Sequence, residues 1–179
     1  MIAITTILPE PYNSKMKKIW DGIEKKFGFR GVKSTPIPHF TWHVAFEYEI
    51  KPVEEVLVVI KEKTKPIEIS TSGLDFFKNE MFVAYNGLNK SRQLANLHKS
   101  LCKQIMQYSK DPMSYYLPDA WKPHVTILFE PKAFIIEDEK LTKYLKALDL
   151  KWHFAINNLT VIHQSESQSP EILFQINLA

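Results

Sequence analysis

Apolar residues near the start of the chain follow two different periods. The β-branched run at residues 2–8 predicts a strand. The apolar residues after it recur at helical spacing, which predicts an amphipathic helix that Asn13 or Ser14 caps and that Gly28 ends. The apolar face of this predicted helix consists of Met16, Ile19, Trp20, Ile23 and Phe27.

The first half of the chain continues with a strand, a helix and a pair of strands. The strand is predicted at residues 39–48, and Pro52 opens a helix that continues to about residue 63. Two further strands are predicted at 67–77 and 81–85, on either side of a turn at Lys78-Asn79-Glu80.

The second half of the chain repeats the helix-strand-helix order. Ser91 is predicted to cap a long helix, which carries Leu94, Leu97, Leu101, Ile105 and Tyr108 on one face. A strand at 124–129, a shorter helix at 138–148 and two closing strands at 154–162 and 172–178 follow. No linker separates the halves. We therefore expect a single domain, 1–179, of two lobes that share a cleft, with approximate halves 1–85 and 86–179.

The composition is that of a soluble globular protein, with 45% hydrophobic and 24% charged residues. No apolar run approaches the roughly 18 residues that cross a bilayer, and the first residues lack the basic segment of a secretory signal. Cys102 is the single cysteine, which excludes a disulfide framework and a cysteine-based zinc site. We expect a cytoplasmic protein. The net charge of +3 permits a polyanionic partner without requiring one.

Two short stretches share one pattern, Pro-His-apolar-Thr-apolar. The first motif is His39-Phe40-Thr41, which follows Pro38 and precedes Trp42; the second motif is His124-Val125-Thr126, which follows Pro123 and precedes Ile127. Each lies in a predicted strand, so the histidine and the threonine share one face while the residue between them faces the core. A single His-x-Thr is a weak signal. Two copies at matching places in the two halves are specific.

The first motif also admits a metal-binding interpretation. Alternation along the strand would put His43 on the face of His39, and two imidazoles with a carboxylate can hold zinc. Neither motif has an acidic residue at a suitable position, and the second copy lacks the extra histidine. We therefore expect no metal and no cofactor, with His43 at the groove wall or in the packing.

Aromatic residues near the second motif are candidates for substrate binding. Tyr115, Tyr116 and Trp121 lie in the predicted loop that enters this motif, where one of them can stack on a base. His43 is a further candidate for the substrate-facing wall.

The two motifs and the order of the elements resemble the two-histidine (2H) phosphoesterase superfamily, and within it the bacterial 2′-5′ RNA ligase-like proteins. The resemblance covers essentially the whole chain. It implies an α+β fold with pseudo-twofold symmetry, in which two curved, mainly antiparallel sheets with helices packed outside form a central groove that carries both motifs. It also implies activity on 2′,3′-cyclic phosphates, cyclic phosphodiesters or 2′-5′ linkages.

The four motif side chains suit such chemistry. Histidine titrates near pH 6.5, so His39 and His124 can serve as general acid and general base, while Thr41 and Thr126 hold the phosphate. The expected partner is an RNA end or a nucleotide, and the expected assembly is a monomer without membrane attachment. The alternative is a non-catalytic module that binds RNA ends or nucleotides.

One departure from the resembled family concerns the residues after the second motif. The RNA-processing branch commonly carries a basic residue there, whereas Ile127-Leu128-Phe129-Glu130 follows Thr126 in this chain. This predicts the loss of an electrostatic contact with the substrate while the central chemistry is kept.

Overall fold

The computed structural model describes residues 1–78, 81–131, 139–164 and 169–178. The helices are α1 (Tyr12–Phe27), α2 (Ile50–Lys63), α3 (Arg92–Ile105) and α4 (Glu139–Lys146). The strands are β1 (Ile2–Ile7), β2 (His39–Tyr48), β3 (Ile67–Lys78), β4 (Met81–Leu88), β5 (Ser109–Pro112), β6 (His124–Pro131), β7 (His153–Ile156), β8 (Asn158–His163) and β9 (Glu171–Asn177). Most of the predicted turn at 78–80, and residue 138 of the predicted last helix, lie outside the described residues.

The strands form a curled antiparallel sheet in the order β7-β3-β4-β6-β2-β1-β8-β9, with β5 paired to β2. At its centre, β2 meets β6 through one register pair, Phe40 with Val125. The sheet is therefore two curved halves joined at that pair, and the predicted α+β class with antiparallel pairing is confirmed. Strands β3 and β4 lie beside β6, whereas β8 and β9 lie beside β1, so each sheet half draws strands from both halves of the chain.

The apolar faces of α1, α2 and α3 pack in one core cluster with Phe40, Trp42 and Val125, which are fully buried. The helices thus cover the face of the sheet opposite to the motif histidines, as the alternation along each motif predicts. Among the described helices, none has the length and apolar character needed to span a membrane.

The helix ends only partly match their predicted caps. Helix α1 begins at Tyr12 after Pro11, which supplies no side-chain cap, and the Glu10 carboxylate accepts the N–H of Ser14, so the predicted capping by Asn13 or Ser14 is wrong. Gly28 ends this helix with a φ of 77°, and Ser91 caps α3 by accepting the N–H of Leu94, so both of these predictions are confirmed.

One predicted strand is in fact two. The run at 154–162 is interrupted at Asn157: β7 pairs with β3, and β8 pairs with β1 and β9. The apolar pattern continues on both sides of Asn157, which hides the break from sequence reasoning. The short strand β5 was not predicted either, because its sequence, Ser-Lys-Asp-Pro, lacks any strand-forming pattern.

Candidate active site

The two motifs meet across the centre of the sheet. Strands β2 and β6 are antiparallel, and Phe40 pairs with Val125. Extending that register by one residue in each direction places His39 opposite Thr126 and Thr41 opposite His124. Opposite residues project from the same face, so all four side chains lie together and each histidine neighbours the threonine of the other motif. All four are half-buried and line one groove of about 930 Å³.

Both imidazoles are oriented by the same local hydrogen bond. The Nδ1 of His39 donates to the carbonyl oxygen of Ile37 over 2.5 Å, and the Nδ1 of His124 donates to that of Lys122 over 2.7 Å. Because a carbonyl oxygen only accepts, each Nδ1 carries the hydrogen, and Nε2 is the nitrogen that remains for proton transfer. Each accepting carbonyl belongs to the residue before the motif proline, a position that proline restricts to extended conformations.

Burial and mutual repulsion shift the titration of the pair. Burial is the main cause that lowers the pKa of His39 and of His124, and the positive charge of His39 lowers the pKa of His124 further. Protonation of one ring therefore disfavours protonation of the other. The state in which both rings are protonated is therefore disfavoured, relative to the states with one ring protonated or with both rings neutral.

A β-bulge follows each motif at the same place. Against β1, the register passes from Thr41 to His43 and leaves Trp42 without a partner. Against β4, the register passes from Thr126 to Leu128 and leaves the residue between them unpartnered in the same way. An extra residue reverses the alternation of side chains beyond it. The groove face of β2 therefore continues at Val44.

This bulge explains why His43 does not line the groove, contrary to its prediction as a substrate-binding residue. The His43 side chain is fully buried, and its Nδ1 hydrogen-bonds with the hydroxyl of Tyr48. Burial lowers the pKa of His43 to about 4. The matching residue after the second motif is Leu128, which is also fully buried. His43 and His39 thus lie on opposite faces of β2, which separates the two imidazoles that the zinc interpretation requires.

Trp121 also lies outside the groove, which corrects its prediction as a base-stacking residue. It is 2% exposed, and its ring stacks on His98 with centroids 3.7 Å apart. Its indole Nε1 donates to the backbone oxygen of Thr41 over 2.9 Å. In the second motif, Trp20 of α1 does the same for the backbone oxygen of Thr126 over 3.1 Å. Each indole thus satisfies a carbonyl beside a bulge.

Tyr115 and Tyr116 do line the groove. The Tyr115 side chain is 67% exposed at the rim. The Tyr116 side chain lies beside that of Thr41, and burial raises the pKa of Tyr116. Sequence reasoning placed this tyrosine at the groove but did not place it beside a motif threonine.

Two aromatic rings beside His124 were missed because they come from distant strands. The rings of Phe77 and Tyr85 lie 5.2 and 4.9 Å from the ring of His124, centroid to centroid. Phe77 also lines the groove, together with Phe129 and Met113. The pairing of β3 with β4 and of β4 with β6 brings Phe77 and Tyr85 to the second motif, and no signal within the motif itself indicates it.

Within residues 1–78, 81–131, 139–164 and 169–178, no three or more His, Cys, Asp or Glu side chains gather in a way that could hold a metal ion.

The chain is similar to known proteins over nearly its whole length. A solved structure described as a phosphoesterase has a TM-score of 0.61 and 14% identity, and the alignment covers 99% of this chain and 98% of that one. The E. coli protein LigT in its apo form has a TM-score of 0.58 and 14% identity, with 99% and 96% covered. LigT complexed with 3′-AMP has a TM-score of 0.57 and 13% identity, with 99% and 97% covered. Because the sequence identities are this low, the similarity to these structures establishes the fold alone.

No curated protein matches the sequence. The family model described as the 2′-5′ RNA ligase superfamily matches residues 9–168, which include both motifs and both bulges. This chain therefore belongs to the 2′-5′ RNA ligase superfamily, the 2H phosphoesterases.

Proposed function

We propose that this protein is a metal-independent phosphoesterase that opens 2′,3′-cyclic phosphates or cleaves 2′-5′ linkages of RNA or nucleotides. The observation that carries the proposal is the crosswise register of the two motifs, which sets two imidazoles and two threonine hydroxyls around one groove. The LigT structures complexed with 3′-AMP and with phosphate add support, because both ligands contain the phosphate that this groove is proposed to take.

The geometry suits two proton transfers at one phosphorus. The neutral imidazole accepts the proton of a water molecule at Nε2 while the water oxygen bonds to phosphorus. The bond between phosphorus and the ribose oxygen breaks, and the other imidazole, protonated at Nε2, gives its proton to that oxygen. The product is a phosphomonoester. Each such transfer is typically worth about 10²–10⁴-fold in rate.

The imidazole orientation favours this assignment. With Nδ1 of His39 bonded to the Ile37 oxygen and Nδ1 of His124 bonded to the Lys122 oxygen, neither ring needs to turn to present Nε2. The electrostatic coupling of the two rings favours the singly protonated pair that an acid and a base require. Either ring can act as the acid or as the base, and the two roles exchange when the direction of the reaction is reversed.

The two threonines hold the phosphate in this scheme. The hydroxyls of Thr41 and Thr126 donate to its non-bridging oxygens, on which negative charge redistributes as the bonds change. The Tyr116 side chain lies beside Thr41 in the groove. Preorganised donors of this kind need no rearrangement during the reaction.

The test is a panel of nucleoside 2′,3′-cyclic phosphates and 2′-5′-linked dinucleotides, assayed in the presence of a chelator. Wild-type protein should hydrolyse at least one of them, and His39→Ala and His124→Ala should each abolish most of that activity. His153→Ala is the matched control, because this histidine is exposed at the start of β7 and lies outside the groove.

Two results would contradict the proposal. Activity that chelator removes and a divalent ion restores would show a metal-dependent reaction. Tight binding of these ligands without any turnover would show a binding module instead of an enzyme.

A further inference from the structure

Beside the first motif, the groove continues into a second cavity of about 280 Å³, here called the annex. His39, Thr41, Tyr116 and Phe129 line both the groove and the annex. The residues that line the annex alone are Met1, Ile2, Ala3, Val44, Ile162 and Gln164. The walls that it does not share with the groove are therefore mainly apolar; Gln164 is polar, and Met1 carries the amino group that donates to the backbone oxygen of Gln164 over 3.0 Å. A substrate whose phosphate lies between the histidines has direct access to this space.

The bulge at Trp42 creates the annex. It turns Val44 onto the groove face of β2, where Val44 pairs directly with Ala3 of β1. Both side chains are small, so they leave the space of the annex unfilled. Phe129 occupies the position in the second motif that Val44 occupies in the first, and its ring, 38% exposed, borders the mouth. An exposed ring beside a half-open apolar cavity is suited to stacking on a planar group.

The described part of the groove lining offers little net positive charge. Among the described residues that line it, Lys122 carries the only fixed charge. Lys122 lies close enough to Asp75 that its charge contributes to the lowered pKa of that carboxyl, whose main cause is the hydrogen bond from the Phe76 N–H. The Asp75 carboxylate also accepts the hydroxyl of Tyr85 beside His124. A carboxylate on the same wall therefore offsets part of the charge of Lys122.

The cations at the opposite rim are also neutralised. Arg30 and Lys33 flank the rim segment around Gly31, but Arg30 Nε lies 2.7 Å from Glu24, and Lys33 Nζ contacts both Glu24 and Asp21. The carboxylate of Glu130 adds a further negative charge, since it accepts the backbone N–H groups of Arg30 and Gly31. Sites for polynucleotides need uncompensated cations along the backbone path, because phosphate neutralisation supplies most of their affinity.

These observations extend the proposed function to a substrate class. Resting on that function, we propose that the substrate carries a single phosphate group and seats its uncharged planar base in the annex, so that it is a nucleoside 2′,3′-cyclic monophosphate rather than an oligonucleotide end. The histidines and threonines take the phosphate, the Phe129 ring stacks on the base, and Gln164 offers hydrogen bonds to its edge. Additional phosphate groups would add little affinity, because the positive charges of the described rim residues are offset by carboxylates.

The experiment measures binding by calorimetry, so that it does not depend on turnover. The probes are adenosine 3′-monophosphate and an adenosine tetranucleotide that ends in a 3′-phosphate, each at low and at moderate salt. The monophosphate should bind at least as tightly as the tetranucleotide, and salt should weaken the two to a similar small extent. A tetranucleotide that binds tenfold tighter, with a steep salt dependence, would overturn the proposal.

Filling the annex provides the second arm. Val44→Phe should weaken binding of adenosine 3′-monophosphate by tenfold or more while inorganic phosphate binds as in wild type. Val58→Phe is the matched control, because this valine is exposed on α2, and it should change neither affinity. Unchanged nucleotide affinity in Val44→Phe would show that the base lies elsewhere.

A third variant keeps the proposal testable if Val44→Phe fails to fold. Phe129→Arg places a cation at the mouth of the annex, and it should favour the tetranucleotide over the monophosphate by tenfold or more relative to wild type. No change in that ratio would mean that charge at the mouth does not select the substrate. The predicted binding pattern without turnover would refute only the proposed function, whereas turnover with preference for the tetranucleotide would refute only the substrate class.

Discussion

The indole of Trp121 donates a hydrogen bond to the backbone oxygen of Thr41, 2.9 Å away. Trp121 lies just before the second motif in the chain, while Thr41 belongs to the first. The bond therefore ties the approach to one motif to the threonine of the other. The ring is held in turn by its stacking on His98. A buried tryptophan thus fixes a threonine that the proposed reaction uses.

Trp121→Phe should keep most of the packing but leave this carbonyl without its donor. We expect a loss of about 1–3 kcal/mol in the free energy of unfolding, measured in urea, and a lower kcat with little change in KM. Trp152→Phe is the matched control, because it removes an equivalent indole bond, to the oxygen of Asp149, away from the groove. It should lose similar stability without losing turnover. Equal turnover in the two variants would contradict a positioning role for Trp121.

The two histidines should behave as one unit. His39→Ala and His124→Ala should each lower kcat by about 10²-fold or more, and the double variant should be far less than multiplicatively worse. Steady-state kinetics on the same substrate checks this. Near-normal turnover in His124→Ala, beside an inactive His39→Ala, would mean that the second motif is only structural.

Substitution of either threonine should lower activity less than substitution of either histidine. Thr41→Ala and Thr126→Ala each remove a hydrogen bond to a charged group, worth about 1.5–3 kcal/mol, so kcat/KM should fall by about 10- to 100-fold. Thr41→Ser and Thr126→Ser keep the hydroxyl and should recover most of that loss. Serine variants as impaired as the alanine variants would argue that the methyl groups matter more than the hydroxyls.

The pH dependence follows from the lowered pKa values of His39 and His124. In the free enzyme both rings titrate below the ordinary value of about 6.5. Activity needs one neutral and one protonated ring, so kcat/KM should rise and fall in a bell whose maximum lies on the acid side of about pH 6.5. A pH profile of kcat/KM measures this directly. A maximum well above pH 7 would show that other groups control the reaction.

Stability should also depend on pH, through His43. Burial lowers its pKa to about 4 in the folded protein, whereas in the unfolded chain it titrates near 6.5. The neutral folded form is therefore fully favoured above about pH 6.5, and that stability, on the order of 3 kcal/mol, is lost as the pH falls towards 4. The free energy of unfolding should be measured in urea at about pH 7 and about pH 4.5. Between these two pH values it should fall less for His43→Leu than for wild type.

His153→Leu serves as the control for this measurement, because His153 is exposed on β7. Its stability should vary with pH as that of wild type does. If His43→Leu were as acid-sensitive as wild type, His43 would not be the source of the effect.

The sequence predicted the centre of the site because alternation along a strand is local. It placed Phe40 and Val125 in the core, and both are fully buried. The same rule failed one step later at His43, because a bulge depends on how β2 pairs with β1, and nothing within the motif reveals it. A comparison of the two motifs carries a hint, since the position of His43 is taken by Leu128 in the second copy.

Trp121 shows a second limit of prediction from the sequence. Its place beside the second motif suggested a ring facing the substrate, but the ring turns inward to the carbonyl of Thr41, to which it donates, and to His98. Such a choice depends on contacts with β2 and α3, which are remote in sequence. The groove wall formed by Phe77 was missed for the same reason.

The exchange of strands between the two halves of the chain has a consequence for how the protein folds. Thr5 on β1 bonds to the oxygen of Thr160 on β8, 155 residues away. Closing so long a loop costs entropy before any contact compensates it, so folding should be slow for a chain of this size. A chain cut between residues 89 and 90, after β4, would leave β1 without β8 and β6 without β4. Neither fragment can complete the strands around its own histidine, so mixing the two should restore activity where each alone has none.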